Sequence, residues 1–210
     1  ARDLPPIDAV LLSHDHHADN LDDAGRAILP SVGTVVTTRA GARRLGGNSR
    51  GLLPWEEVRL EKAGYPAIVV RATPCRHGPP ASRWVVGDVI GFALTWDGQR
   101  HGTFWITGDT VFYEGVREVS RRLKVGTMLL HMGGVRFPVT GPLRYTMTAT
   151  DAVRTCELVR PHLAIPIHYE GWGHFQESQS TIESAFARAS GEVRARLRWV
   201  PLGSAVGIPT

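Results

Sequence analysis

Cysteine is scarce in this chain of 210 residues, which holds only Cys75 and Cys156. Two thiols cannot build a disulfide scaffold, so a reducing, cytoplasmic setting is the default expectation. Long apolar runs are missing too. None approaches the roughly 18 to 20 residues of a transmembrane helix, so no membrane span is expected. The opening ARDLPPIDAV carries no signal-peptide stretch. Repeats, low-complexity tracts and linkers are lacking, and a single domain over 1–210 is the expectation. A strong charge of one sign is lacking as well: 24 Lys and Arg face 20 Asp and Glu, a net +4, with a pI near 9.5. The excess is spread, with RLKVG at 122–126 its nearest approach to a cluster. No basic stripe with interleaved aromatics supports nucleic-acid binding. A small-molecule substrate is the expected partner, and the basic balance leans toward an anionic one. Homo-oligomerisation is left open.

The chain does have nine histidines. Histidine is the commonest metal ligand, so their positions decide the reading. Hydrophobic content of 42% with 21% charged residues indicates a globular chain. Apolar runs at 7–12 (IDAVLL), 34–37, 58–60, 67–72, 84–86, 90–96, 103–107, 127–131, 163–167 and 197–200 read as strands. Residues 20–28, 39–45, 113–123, 150–159 and 180–189 read as helices, the first capped by Asn20 or Asp19. Residues 135–147, rich in Pro and Gly, read as a loop. Alternating strands and helices suit a layered α/β fold, which places its sites at strand ends.

The metal-competent residues fall at those ends. Ser13-His14-Asp15-His16-His17-Ala18-Asp19-Asn20-Leu21-Asp22 packs three histidines behind a buried strand. Imidazoles on such a loop can converge on one ion. His77 follows AIVVRA, Asp109 follows TFWIT, His131 ends TMLL and His168 ends AIPI. Each has a plain structural alternative. Asp19 and Asp109 suit helix or turn caps, His77 a surface loop, and His168 a core histidine bonded to backbone. His174, in GWGHF, suits packing among aromatics better than a site role, and Cys75 suits a small buried residue better than a ligand. The tryptophans, mostly in strand-like runs (Trp84, Trp96, Trp105, Trp199), read as core.

In their order, LLSHDHHADNLD, a lone His77, TGDT, an apolar strand before Gly133-Gly134, and PIHYEGWGHF resemble the metallo-β-lactamase fold hydrolases. Within that superfamily they are similar to the lactonase-like and N-acyl-phosphatidylethanolamine phospholipase D-like branch. The resemblance runs from Ile7 to about Phe175. It implies an αββα sandwich with one or two metal ions at its edge. The chain begins about a dozen residues before the histidine loop, so the N-terminal strands of that sandwich are expected either to be lacking here or to be supplied by another chain.

The family loop is His-x-His-x-Asp-His, and this loop carries one extra residue. Reading forward from His14 makes His16 the second histidine; reading back from Asp19 makes it His17. The resemblance thus implies His14, His16 or His17, and His77 around a first ion. It implies Asp19 and His168 around a second, with Asp109 bridging. The loop's last histidine is Asn20 here, a weak amide donor. Thr146 stands where many relatives have a histidine.

The expected function is a metal-dependent hydrolase that uses a metal-activated water on an ester, lactone or phosphodiester. Asp19 and Asp109 are its expected catalytic carboxylates. One or two divalent ions are expected, with Zn favoured and Mn or Fe also suiting the oxygen-containing donor set. Arg136 and Arg144 are expected to bring positive charge over the site. The alternative is a non-catalytic member of the same fold that binds a metal or ligand as a sensor or scaffold.

Overall fold

A computed structural model describes residues 4–80 and 82–210. Three strands, β1 (Ala9–Leu11), β2 (Thr34–Thr38) and β3 (Ser49–Leu52), form a parallel sheet in that order. Its crossovers are α1 (Asp23–Ile28), followed by a 3₁₀ turn, and α2 (Arg39–Leu45). Six further strands form the second sheet in sequence order: β4 (Glu57–Leu60), β5 (Ile68–Pro74), β6 (Ile90–Thr95), β7 (Thr103–Ile106), β8 (Val125–His131) and β9 (Leu163–Ile167). A one-turn helix, α3 (Arg83–Val86), precedes β6. β4 to β7 are antiparallel hairpins; β7, β8 and β9 are parallel, linked through α4 (Glu114–Arg122) and α5 (Ala149–Val159). Then come α6 (Gln179–Ala187) and α7 (Gly191–Arg196).

The apolar residues sort these elements into layers. Val36 and Leu52 of the small sheet pack with Val58, Val70, Ala72, Ile90 and Phe92 of the large one. The outer face of the large sheet, with Trp105, Met128 and Leu130, packs on Val116 and Val119 of α4, Ala152 and Cys156 of α5, and Ile182 and Phe186 of α6. Leu12, Leu29 and Val35 form a third cluster on the small sheet's outer side. The result is the expected αββα sandwich. Large apolar side chains on both faces of β7 and β8 are what a parallel strand covered on each side requires.

Several boundaries differ from the sequence reading. Trp84–Val86 lies in the helical turn α3, and Trp84 is 94% exposed rather than core. A three-residue apolar run does not separate strand from helix. Asp22 caps α1, accepting from Gly25 N at 2.6 Å, so neither Asn20 nor Asp19 is that cap. Ser49–Leu52, a polar run with no alternation, forms β3 by pairing with β2. Leu197–Val200 makes only an isolated bridge, Leu197 to Ala164, and the residues before it form α7.

β5 and β7 are each antiparallel to β6, so β5, β7, β8 and β9 all run one way. Their C-terminal ends therefore share one edge of the sheet. The segments after them carry His77, Asp109, His131 and His168.

Candidate metal centre

The loop after β1 brings its histidines to that shared edge. His14 Nε2 lies 3.2 Å from His17 Nδ1, and His77 Nε2 lies 3.3 Å from the same atom. The ligating atoms of the three residues are all within 4.8 Å of one another. His16 is elsewhere: its Nδ1 faces Asp15 Oδ1 at 3.6 Å, and its ring lies against Gly87. The geometry thus follows the register counted back from Asp19, because the extra residue turns His16 outward.

Two of the rings, His77 and His14, are held so that one nitrogen faces the cluster. His77 Nδ1 pairs with Tyr145 O at 2.7 Å. Ser13 Oγ, 2.9 Å from His14 Nδ1, also donates to Asn20 Oδ1 at 3.2 Å, while Asn20 Nδ2 donates to His14 O. This closed ring of bonds makes His14 Nδ1 the protonated nitrogen and leaves Nε2 a lone pair for the cluster. It also uses both ends of the Asn20 amide. Burial brings the His14 pKa down to about 3, and burial with the nearby His77 lowers that of His17. Neutral imidazoles are the form that binds a metal.

Beside the triad lies a carboxylate set. Asp109, 1% exposed, follows the turn Thr107-Gly108. Gly108 has φ 65°, and a Cβ there would stand 2.7 Å from Ile90 O, so this tight turn requires glycine. Asp109 Oδ2 is 3.9 Å from His14 Nε2 and 3.5 Å from His168 Nε2. His168 Nε2 is in turn 3.8 Å from Asp19 Oδ2, and His168 Nδ1 pairs with Met132 O at 3.2 Å. His168 holds φ 61°, a left-handed backbone that non-glycine residues seldom adopt outside sites where the surroundings impose it. Burial alone would raise both aspartates. The imidazoles around them outweigh it, His168, His131 and His14 at Asp109 and His168 and His174 at Asp19, and both carboxyls stay below their ordinary range. The same carboxylates raise His168 against its own burial.

Other expectations resolve on this geometry. Neither aspartate caps a helix, and His77 is buried rather than a surface-loop residue. His131 lies behind the site, Nδ1 3.3 Å from Thr107 Oγ1, with its pKa brought down to about 4 by burial. Thr146 ties the covering loop down, donating to Met132 O at 2.7 Å and accepting from Val135 N at 2.9 Å. Arg144 Nη1 donates to Gly134 O at 3.0 Å and Arg136 Nη2 faces Gln176 Oε1 at 3.5 Å, both neutral acceptors that leave the guanidinium charges in place. The Cys75 thiol donates to Asp109 O at 3.2 Å, and burial pushes its pKa up, which makes it a structural donor. The histidine underrated from sequence is His174, whose Nε2 is 2.8 Å from Asp19 Oδ2.

The donor set can be tested for an ion. Three nitrogens facing one another at hydrogen-bonding distance are not all satisfied by the protons of neutral imidazoles. Asp19 Oδ1, Asp109 Oδ1 and His168 Nε2 are buried without a hydrogen-bond partner. Orphaned polar atoms are rare in protein interiors and costly. Gathered at one edge, nitrogen and carboxylate donors fit a divalent transition metal.

Comparison with known proteins agrees. The family model for the beta-lactamase superfamily domain matches residues 1–169. The chain belongs to that superfamily. A UPF0173 metal-dependent hydrolase of Deinococcus radiodurans is 28% identical over 189 residues, spanning 89% of this chain and 75% of its own. An isothiocyanate hydrolase from Delia radicum gut bacteria superimposes with a TM-score of 0.80 at 21% identity, over 99% of this chain and 79% of that one. A metallo hydrolase of Ignicoccus hospitalis gives a TM-score of 0.69 at 21% identity, over 95% and 78%. With its superfamily and these relatives, this member is a metal-dependent hydrolase. No helix among the described residues is long and apolar enough to cross a membrane.

Proposed function

We propose that His14, His17 and His77 hold a divalent ion, zinc by preference, with Asp109 beside it, and that the protein hydrolyses a small ester, lactone or phosphodiester there. The observation that carries this reading is the convergence of three imidazole nitrogens, two of them on rings fixed from behind, His14 by Ser13 and His77 by the Tyr145 carbonyl. When bound in such a set, the ion lowers the pKa of water toward about 7 and polarises the bond to be cleaved.

The chain's own residues would do the rest. Asp109, kept ionised, would accept a proton or hydrogen bond from the attacking water. The Tyr145 carbonyl keeps His77 in one tautomer. Beside His77 lies a cleft of about 380 Å³, lined by Leu52, Cys75, Arg76, Val86 and Ile90 among others. Its mostly apolar wall suits the body of a small substrate. Arg76, stacked 4.6 Å from the Tyr113 ring with its Nε unpartnered, supports an anionic group on that substrate.

The test is metal analysis and hydrolysis on one preparation. The panel is bis-p-nitrophenyl phosphate, a p-nitrophenyl ester, a lactone and an aryl isothiocyanate, the last because a solved relative of this fold is an isothiocyanate hydrolase. Bound zinc and turnover of the ester, lactone or phosphodiester, both lost in His77→Ala, are expected. Full metal content in folded His77→Ala would overturn the ligand set. Turnover of the isothiocyanate alone would overturn the substrate class.

A further inference from the structure

We propose that the far edge of the large sheet carries a second binding site, for a small anion bearing two or more phosphate groups. β7, β8 and β9 are parallel, so their ends opposite the metal centre also share one edge. β8 spans seven residues, which puts the two edges roughly 20 Å apart. The segments that enter these strands carry Arg100 and His101 before β7, Lys124 before β8, and Arg160 and His162 before β9. With Arg196, in the last turn of α7, they line a cavity of about 310 Å³.

The backbone accounts for the gathering. Gly102 holds φ 125°, and a Cβ there would stand 2.4 Å from Lys124 O, so glycine lets the entry to β7 lie against the entry to β8. Thr103 N closes that contact, donating to Lys124 O at 2.9 Å, and Arg100 N donates to Thr210 O at 2.9 Å. Arg196 Nη1 donates to Pro161 O, which fastens the turn between Arg160 and His162 to α7. His101 and His162 then lie flat on one another, 3.8 Å between ring centroids and 3° between planes.

Positive charge is in excess here. No carboxylate side chain lines the cavity. Glu192 pairs with Arg196, but Arg100, Lys124 and Arg160 make no ion pair among the described residues. Arg121 and Arg122, beside Lys124 in sequence, are by contrast paired with Glu114 and Glu118. Unpaired cations around one cavity repel one another, and a bound anion relieves that repulsion. One phosphate group carries about −1.5 to −2 charges, less than three cations balance, so the match is to a ligand with two or more. Guanidinium forks suit phosphate oxygens, and a cavity at the small end of the ligand-pocket range suits such an anion without a large organic body. Arg160 adds an independent sign. It caps α5 at φ 51° and ψ 52°, a left-handed position that glycine usually takes. An arginine there, at a conformational cost, points to a use for its side chain. The Arg196 Nε, buried with no partner, is one more unused donor among the lining residues.

Calorimetric titration of tripolyphosphate into the full chain, at about 0.15 M salt, tests the site. Wild type is expected to bind it saturably, with Kd below about 1 mM. Arg160→Gly suits the left-handed backbone, and Lys124→Ala removes an exposed side chain, so both should fold, which urea unfolding checks. Each should weaken binding about 10-fold or more, the worth of a charge-assisted contact. His77→Ala should bind as wild type does, because the metal centre lies at the other edge. Orthophosphate and sulfate should bind more weakly than tripolyphosphate. Unchanged affinity in both folded variants would overturn the site, and a loss in His77→Ala alone would place the anion on the metal instead. Orthophosphate or sulfate binding as tightly would overturn the ligand class. A wild type with no saturable binding would overturn the proposal outright.

Discussion

Arg44 grips the Asp15 carboxylate with both arms of its guanidinium, Nε 2.8 Å from Oδ2 and Nη2 2.6 Å from Oδ1. Arg44 stands in the last turn of α2, and Asp15 lies between His14 and His16. Arg26 Nη2 also donates to Asp15 O at 3.1 Å. The histidine loop is thus fastened to the helices of the small sheet. A bidentate fork of this kind fixes direction as well as distance. Arg44→Ala would leave the buried carboxylate with no hydrogen-bonding cation and only His16, 3.6 Å away, beside it, and should cost about 1–3 kcal/mol of stability. The Arg44 hydrogen bonds hold the Asp15 carboxyl below its unfolded value of 3.8. A carboxyl lowered on folding adds stability above its unfolded pKa and loses it as pH falls through the folded one. The gap between wild type and Arg44→Ala in urea unfolding should therefore be widest near neutrality and narrow below pH ~4. A gap that does not change with pH would mean that the pair contributes packing alone.

His16→Ala and His17→Ala are expected to differ sharply. His17 Nδ1 is the atom that both His14 and His77 face, and His16 faces Asp15 and Gly87. Loss of His17 should remove the first ion, since two imidazoles are too few for a stable site. Loss of His16 should cost roughly 10-fold in affinity or less. Metal content by mass spectrometry after dialysis checks this. Equal, large losses would show that both rings ligate.

These residues show how much of the site was legible in the sequence. Strand-end placement was readable for His14, His77, Asp109 and His168, because an apolar run followed by a metal-competent residue is a local signal. The choice between His16 and His17 was not, since it depends on how an inserted residue bends a loop. His174 was harder still. Its neighbours Trp172 and Phe175 pointed to packing, and its partner Asp19 lies 155 positions away. The layered fold followed from alternating apolar runs. β3 did not, because Ser-Arg-Gly-Leu has no strand pattern and is strand only through β2. Long-range pairing decides such segments.

Asn20→His is a natural attempt to restore the family loop, and the hydrogen bonds predict the opposite of a gain. The substitution breaks the ring that joins Asn20, Ser13 and His14 and frees the His14 tautomer. The first ion should bind about 10- to 100-fold more weakly, as when an outer partner of a ligand is removed. Competition with a coloured chelator measures this. An unchanged first affinity would show that Ser13 alone fixes His14.

Gly91→Ala tests how the sheet holds Asp109 from a distance. Gly91 pairs with Thr73 across β5 and β6. Thr73 Oγ1 accepts from the indole of Trp105, which is wholly buried in β7 on the other side of β6. That bond crosses a strand, and it passes where Gly91 has no side chain. A Cβ there would stand 2.5 Å from Thr73 Oγ1, 2.6 Å from Thr107 O and 2.7 Å from Ile106 O. Two of the three are backbone atoms and cannot rotate away. Either β7 shifts or the Trp105 bond breaks, and overpacking of this sort costs about 1–3 kcal/mol. A shift of β7 would carry the turn Thr107-Gly108 and with it Asp109. The variant should therefore lose stability in urea unfolding and also bind metal less well. Gly207→Ala is the control, since nothing lies within 4 Å of the added methyl, and it should stay within about 0.5 kcal/mol of wild type. Gly91→Ala as stable as Gly207→Ala would show that β6 has slack that these distances do not allow.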